Sequence, residues 1–359
     1  MDWYIILAAS IKVVVFVFLV TLPLVAMSVW AERRVSAAIQ DRVGPNRVGP
    51  AGLLQPVADG IKFLLKEDFT PNHVRKSYYW LAPALTMIPS LLTCAVIPFG
   101  SKLFGEKMVI ADLDVGPLFV FAVASLTVYG IVLAGWASNS KYPFLGSVRS
   151  TSQMISYEIS LGLSIVPLLM IYGELNLGYI VMEQAQNGWA LLPLWGDGLS
   201  VKGWLLTIPL FISFVVFTTS IFAETNRLPF DLPECETELV AGYHTEYSSM
   251  KFALFFLGEY AAMIIGSGLA VTLFFGGWSL PFGWFNPESA DAEVPFWHGL
   301  IHIGAFFGKV ILFILFFIAV RWTLPRFRYD QLMRLGWVVF FELALANVIL
   351  TALLLMWLK

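Results

Sequence analysis

Long apolar runs separated by short polar segments dominate the sequence. Eight runs, near 3–30, 78–99, 117–138, 153–173, 204–223, 252–276, 297–320 and 336–357, approach the length of about 20 residues that a helix needs to cross a bilayer. The composition fits, since it is 58% hydrophobic and 13% charged, and a soluble globular chain carries roughly twice that charge. The sequence predicts an all-α integral membrane protein with about eight transmembrane helices in a single multi-pass domain, 1–359.

Basic residues are shared unequally between the two sides of the predicted bundle. Sixteen of the 22 lysines and arginines follow the first, third, fifth and seventh spans, whereas Lys102, Lys107, Lys202 and Lys359 fall on the other side. Because cytoplasmic loops are enriched in Lys and Arg, we expect the odd-numbered loops to face the cytoplasm. Both termini should then lie on the outward, periplasmic side.

The first inward loop, ERRVSAAIQDRVGPNRVGPAGLLQPVADGIKFLLKED, contains a helix that is too short to span. Gly-Pro pairs at 44–45 and 49–50 break the preceding helix. Residues 53–66 then place apolar side chains on one face and polar ones, including Asp59 and Lys62, on the other. This pattern predicts an amphipathic helix in the membrane interface, which either packs on neighbouring spans or frames an opening for a lipophilic ligand.

The second inward loop runs from Ser138 into a span that contains Glu158. A carboxylate this deep is costly and normally faces the bundle interior, where it pairs with a basic group or holds a proton. Arg149 is the nearest basic residue in sequence and is the predicted partner. Glu158 is therefore either half of an ion pair between spans or a proton-carrying site.

The third inward loop, ETNRLPFDLPECETELVAGYHTEYSSMK, is strongly acidic. Its carboxylates, set against Arg227 alone, are Glu224, Asp231, Glu234, Glu236, Glu238 and Glu246. Carboxylates at short range resist full ionisation together and titrate as a coupled set. The loop is thus predicted to be a proton store, with a solvated acidic loop as the alternative.

The fourth inward loop, RWTLPRFRYDQLMRLGW, reverses the charge. Its basic residues are Arg321, Arg326, Arg328 and Arg334, against Asp330. They either anchor the chain at the cytoplasmic face, or dock a soluble partner and hold the acidic loop through ion pairs. Within the spans, Lys12, Glu259, His302, Lys309 and Glu342 fit either local structural contacts or proton relays.

Cysteine and histidine give no sign of a bound redox centre. Cys94 and Cys235 show no CxxC spacing, and the four histidines show no metal-ligand pattern. We therefore expect no metal, flavin or iron–sulfur cluster on this chain.

Four motif blocks, in order, resemble one family. They are ERRV with QDRVGPN and GLLQPVADGIK; GWASNSKYPFLGSVRS with SYE; ETNRLPFDLPECETELV with EYS; and RWTLPRFRYDQLM. Together they are similar to the quinone-site membrane subunit at the heel of proton-pumping NADH:quinone oxidoreductase, respiratory complex I, and the likeness extends from Glu32 to Trp337. The corresponding membrane subunit of a related hydrogenase and a free-standing ion or solute transporter are the alternatives.

The resemblance implies a quinone tunnel and a proton path. Along or beside the quinone cavity it places Glu32, Arg33, Arg42, Asp59, Lys62, Arg149, Phe230 and Arg326. In the proton path it places Glu158, Glu224, Glu234, Glu236 and Glu246. The chain would then be a non-redox component of the enzyme, because electrons would reach the quinone from an iron–sulfur cluster in a neighbouring soluble subunit.

The resemblance also sets expectations for the surroundings of the chain. The substrate should be a quinone, with ubiquinone expected, and the partners should be soluble quinone-site and iron–sulfur subunits, small membrane subunits, antiporter-like subunits and membrane lipid, without nucleic acid. The location should be a bacterial cell inner membrane rather than a mitochondrial one. The outward segment 174–203, with Trp189, Trp195 and Trp204, should be an interfacial elaboration anchored by its aromatic side chains.

Overall fold

The fold is almost wholly helical. A computed structural model describes residues 3–233, 236–287 and 294–358. Its α-helices there are α1 (Trp3–Val14), α2 (Leu22–Ile39), α3 (Gln55–Leu65), α4 (Lys76–Leu92), α5 (Gly116–Ala124), α6 (Leu126–Ala137), α7 (Lys141–Tyr172), α8 (Leu177–Asn187), α9 (Val201–Glu224), α10 (Glu236–Leu239), α11 (Ser249–Phe274), α12 (Phe296–Thr323), α13 (Tyr329–Arg334) and α14 (Phe341–Leu358).

Short elements join and interrupt these helices. A two-residue antiparallel hairpin pairs β1 (Lys102–Leu103) with β2 (Glu106–Lys107). Two π-helical turns, Val15–Thr21 and Leu335–Phe340, connect α1 to α2 and α13 to α14. Turns of 3-10 helix occur at Pro50–Gly52, Thr93–Val96, Gly196–Leu199, Gly242–His244 and Pro281–Gly283.

Eight helical stretches in the described residues are long and apolar enough to cross a membrane, which confirms the predicted number. They are Ser10–Ile39, Lys76–Val96, Gly116–Ala137, Lys141–Tyr172, Val201–Glu224, Ser249–Phe274, Phe296–Thr323 and Tyr329–Leu358. The fourth starts at Lys141 and not near 153, because the polar residues before 153 stay helical. Ser147 and Thr151 donate to carbonyls three and four residues earlier, which satisfies their hydroxyls within the helix.

The two ends of the bundle carry different connections. The loop end carries the connections after the first, third, fifth and seventh spans, residues 40–75, 138–140, 225–248 and 324–328. The hairpin end carries the β1–β2 hairpin. Lys12 Nζ lies 3.1 Å from Glu106 Oε2, and Lys202 Nζ donates to the Leu358 carbonyl at 2.9 Å, so the first and last helices both have their outer ends at the hairpin end.

Close backbone contact fixes the third inward loop against α7. A Cβ on Gly146 would lie 2.8 Å from the Cα of Gly242, so the two glycines let the helix and the Gly242–His244 turn touch. Below this contact, Tyr157 and Leu168 of α7 and Phe217 of α9 are fully buried. The packing of α7 on α9 therefore sets the position of the loop that follows α9.

The π-helical turn in the first span is satisfied internally. A π turn holds one extra residue, so a backbone carbonyl loses its usual helical partner. Thr21 Oγ1 donates to the Phe16 carbonyl, five residues earlier, at 3.1 Å, and both residues are buried. The wide turn is thus stabilised by a specific hydroxyl.

The segment between the fourth and fifth spans, residues 174–203, packs on the bundle. Trp195 was predicted to anchor this segment in the membrane interface, but it is 8% exposed, so the prediction is wrong for this residue. Trp189 Nε1 donates to Ser279 Oγ at 2.9 Å. Gln184, fully buried on α8, donates from Nε2 to the Leu273 carbonyl and accepts at Oε1 from the Gly276 amide. Buried polar groups of this segment find partners at the end of α11, so the segment is held as part of the protein core.

Lys309 has a structural role at the same place. Its Nζ donates to the carbonyls of Phe275, Gly277 and Ser279 at 2.8, 2.9 and 2.6 Å, and lies 4.1 Å from the centre of the Trp189 ring. These carbonyls follow the last turn of α11, where a helix leaves acceptors without partners. Lys309 therefore stabilises the turn that follows α11, a local structural contact of the kind given as one alternative for this residue.

Candidate functional site

A buried carboxylate lies at the centre of the candidate site, at the loop end of the first span. Glu32 of α2 is 6% exposed. Its Oε2 accepts from Arg227 Nη1 at 3.1 Å and from Tyr260 Oη at 2.6 Å, and its Oε1 accepts from Arg321 Nη1. Three donors, two guanidiniums and one hydroxyl, thus converge on the Glu32 side chain.

Arg227 extends this contact to a second acid. Its Nε lies 2.9 Å from Glu259 Oε1, and its guanidinium carbon lies 4.1 Å from the centre of the Tyr260 ring. We call the series Arg321–Glu32–Arg227–Glu259 the charge chain. The formal charges of its members alternate in sign and sum to zero. Pairing of this kind compensates charges at a site of low exposure, since an unpaired buried charge is strongly destabilising.

Ion pairs at the rim join neighbouring elements to the charge chain. Arg33, next to Glu32, pairs with Asp59 of α3 at 2.7 Å, and Lys62 lies 3.8 Å from the same carboxylate. Arg326, in the fourth inward loop, pairs with Asp231 of the third at 3.0 Å. The structure thus groups these predicted cavity residues around the loop end of the first span.

Two other predicted cavity residues have different surroundings. Arg42 is exposed and donates from Nε to Gln40 Oε1 at 2.6 Å. Phe230 is 3% exposed and packs between Tyr157 and Phe327, at ring distances of 5.5 and 5.4 Å. Phe230 therefore joins α7 to the third and fourth inward loops.

Gln153 positions the third inward loop and was not singled out from the sequence. It is fully buried on α7 and donates from Nε2 to the carbonyls of Ala223 and Phe230, at 2.7 and 2.8 Å. Because these hydrogen bonds hold the backbone both before and after Arg227, they fix the direction in which its guanidinium points. The sequence did carry one signal for this role, since Gln153 is a polar amide side chain in a helix that continues into a membrane span.

The prediction of one coupled acidic cluster is wrong for three members of the set. Asp231 pairs with Arg326, Glu238 pairs with Arg149 at 2.5 Å, and Glu246 lies 4.0 Å from His73 Nε2. Each neighbour comes from a different segment of the chain, so these three acids point to different surroundings and do not form one cluster. Glu234 and the side chain of Glu236 lie outside the described residues.

The predicted pair of Arg149 with Glu158 is also wrong. Nine residues separate them on one continuous helix, which sets them about half a turn apart around the axis and about 13 Å apart along it. Arg149 reaches Glu238 of the acidic loop, and its guanidinium carbon lies 5.9 Å from the centre of the Tyr329 ring. Glu158 lies deeper in the bundle.

Glu224 lines a small internal cavity. It is the last residue of α9, and the cavity of about 60 Å³ also contacts Ser90, Thr93, Thr127 and Thr225. The rest of its lining is apolar, so Glu224 is the ionisable group in a mainly apolar chamber. Glu158 interacts electrostatically with Glu224, so the structure brings together two of the five predicted proton-path residues.

His244, in the third inward loop, is a titratable group that burial keeps neutral. It packs against the rings of Tyr243 and Phe252 at 5.0 and 5.1 Å, and its burial lowers the pKa of His244 to about 4. The folded chain therefore binds fewer protons here than the unfolded chain between about pH 4 and the ordinary histidine value near 6.5. The stability that neutral His244 contributes is complete above this range and is lost as the pH falls through it.

We expect a His244→Gln variant to lose less thermal stability than the wild type when the pH falls from about 7 to about 5, because no ring is then forced to take up a proton. The melting temperature of the purified protein in its native complex, measured at both pH values, tests this. A His73→Gln variant, whose side chain in the wild type is 49% exposed, serves as the control. Equal losses in the wild type and the His244 variant would contradict the prediction.

No group of three or more His, Cys, Asp or Glu side chains in the described ranges is placed to hold a metal ion. The polar side chains at the loop end carry guanidinium, ammonium, imidazole, carboxylate, hydroxyl and amide groups. They can donate or accept hydrogen bonds and move protons.

Comparison with known proteins assigns the family. The model of the NADH dehydrogenase family matches residues 11–352. A subunit of the NADH-quinone oxidoreductase of Geobacter metallireducens is 50% identical over 98% of this chain and 97% of its own length. The corresponding subunits from Koribacter versatilis and Flavobacterium psychrophilum are 48% identical (97% and 96%) and 45% identical (97% of each). Eight spans, a charge chain at the loop end and full-length similarity agree, and the chain belongs to the NADH dehydrogenase family of complex I membrane subunits.

Proposed function

We propose that this chain forms the quinone entrance and chamber of an NADH:quinone oxidoreductase, and that it links quinone reduction to proton movement through its buried acids. The charge chain carries this proposal. It gathers two guanidiniums and two carboxylates from α2, α11, α12 and the third inward loop at one point of low exposure. Such a site can respond to a change of charge in a neighbouring chamber.

The size of electrostatic effects supports the coupling. Two unit charges 4 Å apart interact by about 4 kcal/mol at an effective dielectric constant near 20. Because the charge chain is balanced, negative charge developing on a nearby quinone disturbs it and favours protonation of an adjacent acid. Quinone reduction to quinol takes up two electrons and two protons, and the electrons would come from an iron–sulfur cluster of a soluble partner subunit.

The entrance is proposed at α3 and the loop end of the first span. None of the residues of α3 is buried, and Val57, Ile61 and Leu64 are 56, 51 and 67% exposed. An apolar face this exposed suits the boundary between head groups and acyl chains, where a lipophilic quinone is dissolved. The Arg33–Asp59 pair ties this helix to the charge chain, so the opening and the chamber would share a wall.

The proton path is proposed to run from the charge chain towards Glu224 and Glu158. The cavity at Glu224 is mostly apolar, and the Glu224 carboxyl group and four Ser and Thr hydroxyls are the side-chain groups there that would bind a water. Intramembrane acids with such surroundings are typical of proton relays. Glu234, Glu236 and Glu246 stay in this proposal as sequence-based members of the path.

The orientation and the partners follow from the same proposal. The basic loop end would face the bacterial cytoplasm and dock the soluble quinone-site and iron–sulfur subunits, and the hairpin end would face the periplasm. Small membrane subunits and antiporter-like subunits would contact the bundle laterally, and ubiquinone would be the substrate.

Purification from native membranes in a mild detergent tests the proposed function. The chain is expected to migrate with NADH:quinone reductase activity that a quinone-site inhibitor blocks, and a photoreactive quinone is expected to label peptides from α2 or α3. Isolation of the chain alone in functional form, or labelling confined to other subunits, would overturn the proposal.

A further inference from the structure

Helix α3 has few contacts that fix its position. None of its residues is buried. Its ion pair with α2 joins Asp59, near the middle of α3, to Arg33, whose side chain is 48% exposed. Ion pairs with such an exposed member hold a geometry only weakly. The position of α3 therefore depends on its other contacts as well.

The start of α11 provides a contact at the carboxyl end of α3. The Ser249 Oγ lies 3.0 Å from the carbonyl oxygens of both Phe63 and Lys66. The last carbonyls of a helix have no partner within the helix, so this hydroxyl donates where α3 lacks a donor. Ser249 is 4% exposed, which keeps water from replacing the contact. Ser249 thus joins the end of α3 to α11.

The backbone of Ser249 has a conformation that suits glycine. Its φ is +55°, in the left-handed region that strains a residue with a Cβ atom. Ser248, directly before it, has an extended backbone with a φ of −136°. Glycine at position 249 would relieve the strain but would remove the donor to Phe63 and Lys66. A Ser249→Gly variant therefore separates the hydroxyl contact from the stability of the backbone.

Lys251 holds the segment that follows α3. Its side chain is 7% exposed, and its Nζ lies 2.9 Å from Asp68 Oδ1 and 2.8 Å from Thr70 Oγ1. The same Nζ lies 4.0 Å from the centre of the Trp80 ring, and the face of an aromatic ring attracts a cation. Ser249 and Lys251 together join segment 63–70 to α11. We call these two residues the α3 clamp.

The α3 clamp makes α3 a bridge between two helices of the candidate site. The Arg33–Asp59 pair joins α3 to α2, which carries Glu32. The clamp joins α3 to α11, which carries Glu259. Release of the clamp would therefore let the carboxyl end of α3 move relative to α11 while its middle stays attached to α2.

We propose that the α3 clamp positions α3 for quinone entry, and that Ser249 is its main positioning residue. The inference rests on the proposed function, with its quinone entrance at α3. Because the clamp holds a wall of that entrance and not the groups around Glu32, it affects how readily quinone enters and not the reaction that follows. Loss of the clamp therefore raises the KM for quinone and leaves kcat nearly unchanged.

Kinetics and hydrogen exchange of the assembled, purified complex test this role. Ser249→Gly is expected to raise the KM for decylubiquinone about fivefold while kcat stays within about twofold of the wild type. Amide hydrogen exchange across residues 63–70 is expected to become about fivefold faster, because the end of α3 opens more often. Lys251→Met, which keeps an apolar stem but loses the ammonium group, is expected to change both quantities in the same direction.

Ser248→Gly is the matched control. It removes the neighbouring serine hydroxyl at a half-buried position with extended backbone, where glycine needs no special conformation. Its KM and its exchange rates across residues 63–70 are expected to equal those of the wild type. Lys251→Met keeps the test valid if Ser249→Gly fails to assemble.

The outcomes separate the clamp from the proposed entrance. Unchanged exchange across residues 63–70 in both Ser249→Gly and Lys251→Met would overturn the clamp. Faster exchange with a wild-type KM would overturn its role in quinone entry, and a photoreactive quinone then distinguishes the cause. Labelling of α2 or α3 keeps the entrance and removes only the role of the clamp, whereas labelling confined to other subunits removes the proposed function itself. A kcat that falls as much as kcat/KM would also overturn the proposal, because Ser249 would then act on the reaction.

Discussion

Replacing Arg227 with glutamine is expected to lower the NADH:quinone reductase activity of the complex by about tenfold or more. The substitution removes the guanidinium that joins Glu32 to Glu259. Glu32 keeps Arg321 as a partner, whereas Glu259 loses its partner in the charge chain. Breaking a buried ion pair by removing one partner costs about 3–5 kcal/mol, and the acids respond by taking up protons or moving apart. Either response alters the wall of the proposed quinone chamber. NADH oxidation by ferricyanide, which does not use the quinone site, should remain.

The controls for this prediction separate charge from geometry. Arg227→Lys keeps the positive charge but loses the planar fork, so intermediate activity is expected. Arg328→Gln removes an arginine whose partner, Asp330, lies 3.5 Å away with both side chains more than 70% exposed, and a pair of this kind contributes about 0–1 kcal/mol. Should Arg227→Gln retain as much quinone reductase activity as Arg328→Gln, the charge chain has no part in the quinone site.

Replacing Glu224 with glutamine is expected to abolish most proton translocation and to slow quinone reduction about tenfold. The amide is nearly the same size as the carboxyl and preserves the cavity, but it cannot exchange a proton. A positioned acid–base group typically contributes on the order of 10²–10⁴-fold to a proton-transfer step. Inside-out vesicles provide both measurements, through quenching of a pH-sensitive dye and through quinone-dependent NADH oxidation.

A matched carboxyl group outside the cavity provides the comparison. Glu342 is exposed on α14, and Glu342→Gln is expected to leave the ratio of protons moved to NADH oxidised unchanged. Glu158→Gln should resemble Glu224→Gln, because the two acids interact. Normal translocation in both Glu158→Gln and Glu224→Gln would remove these acids from the proton path.

The number of spans could be predicted from the sequence because it depends on local properties. The length of each apolar run can be read directly from the sequence, and a helix of about 20 apolar residues is long enough to cross a bilayer. The start of the fourth span was misplaced for a local reason as well. Polar residues before 153 suggested a loop, yet Ser147 and Thr151 bond back to their own helix and carry it to Lys141.

The partners of the charged residues could not be predicted, because they depend on tertiary packing. Glu32 and Arg227 are separated by 195 residues, and Glu32 and Arg321 by 289. No spacing rule in the sequence relates such positions. The same reason explains why the acids of the third inward loop looked like one cluster, since Arg149, Arg326 and His73 lie in other segments.

The wide turn at Val15–Thr21 divides the first membrane helix into two parts with separate angular phases. One additional residue advances a helix by about 100°, so the side chains before Val15 do not continue the stripe formed by those after Thr21. The half that carries Glu32 can therefore face Arg227, while the half that carries Lys12 faces Glu106 of the hairpin. The hydrogen bond from the Thr21 hydroxyl to the Phe16 carbonyl is one of the contacts that stabilise this offset.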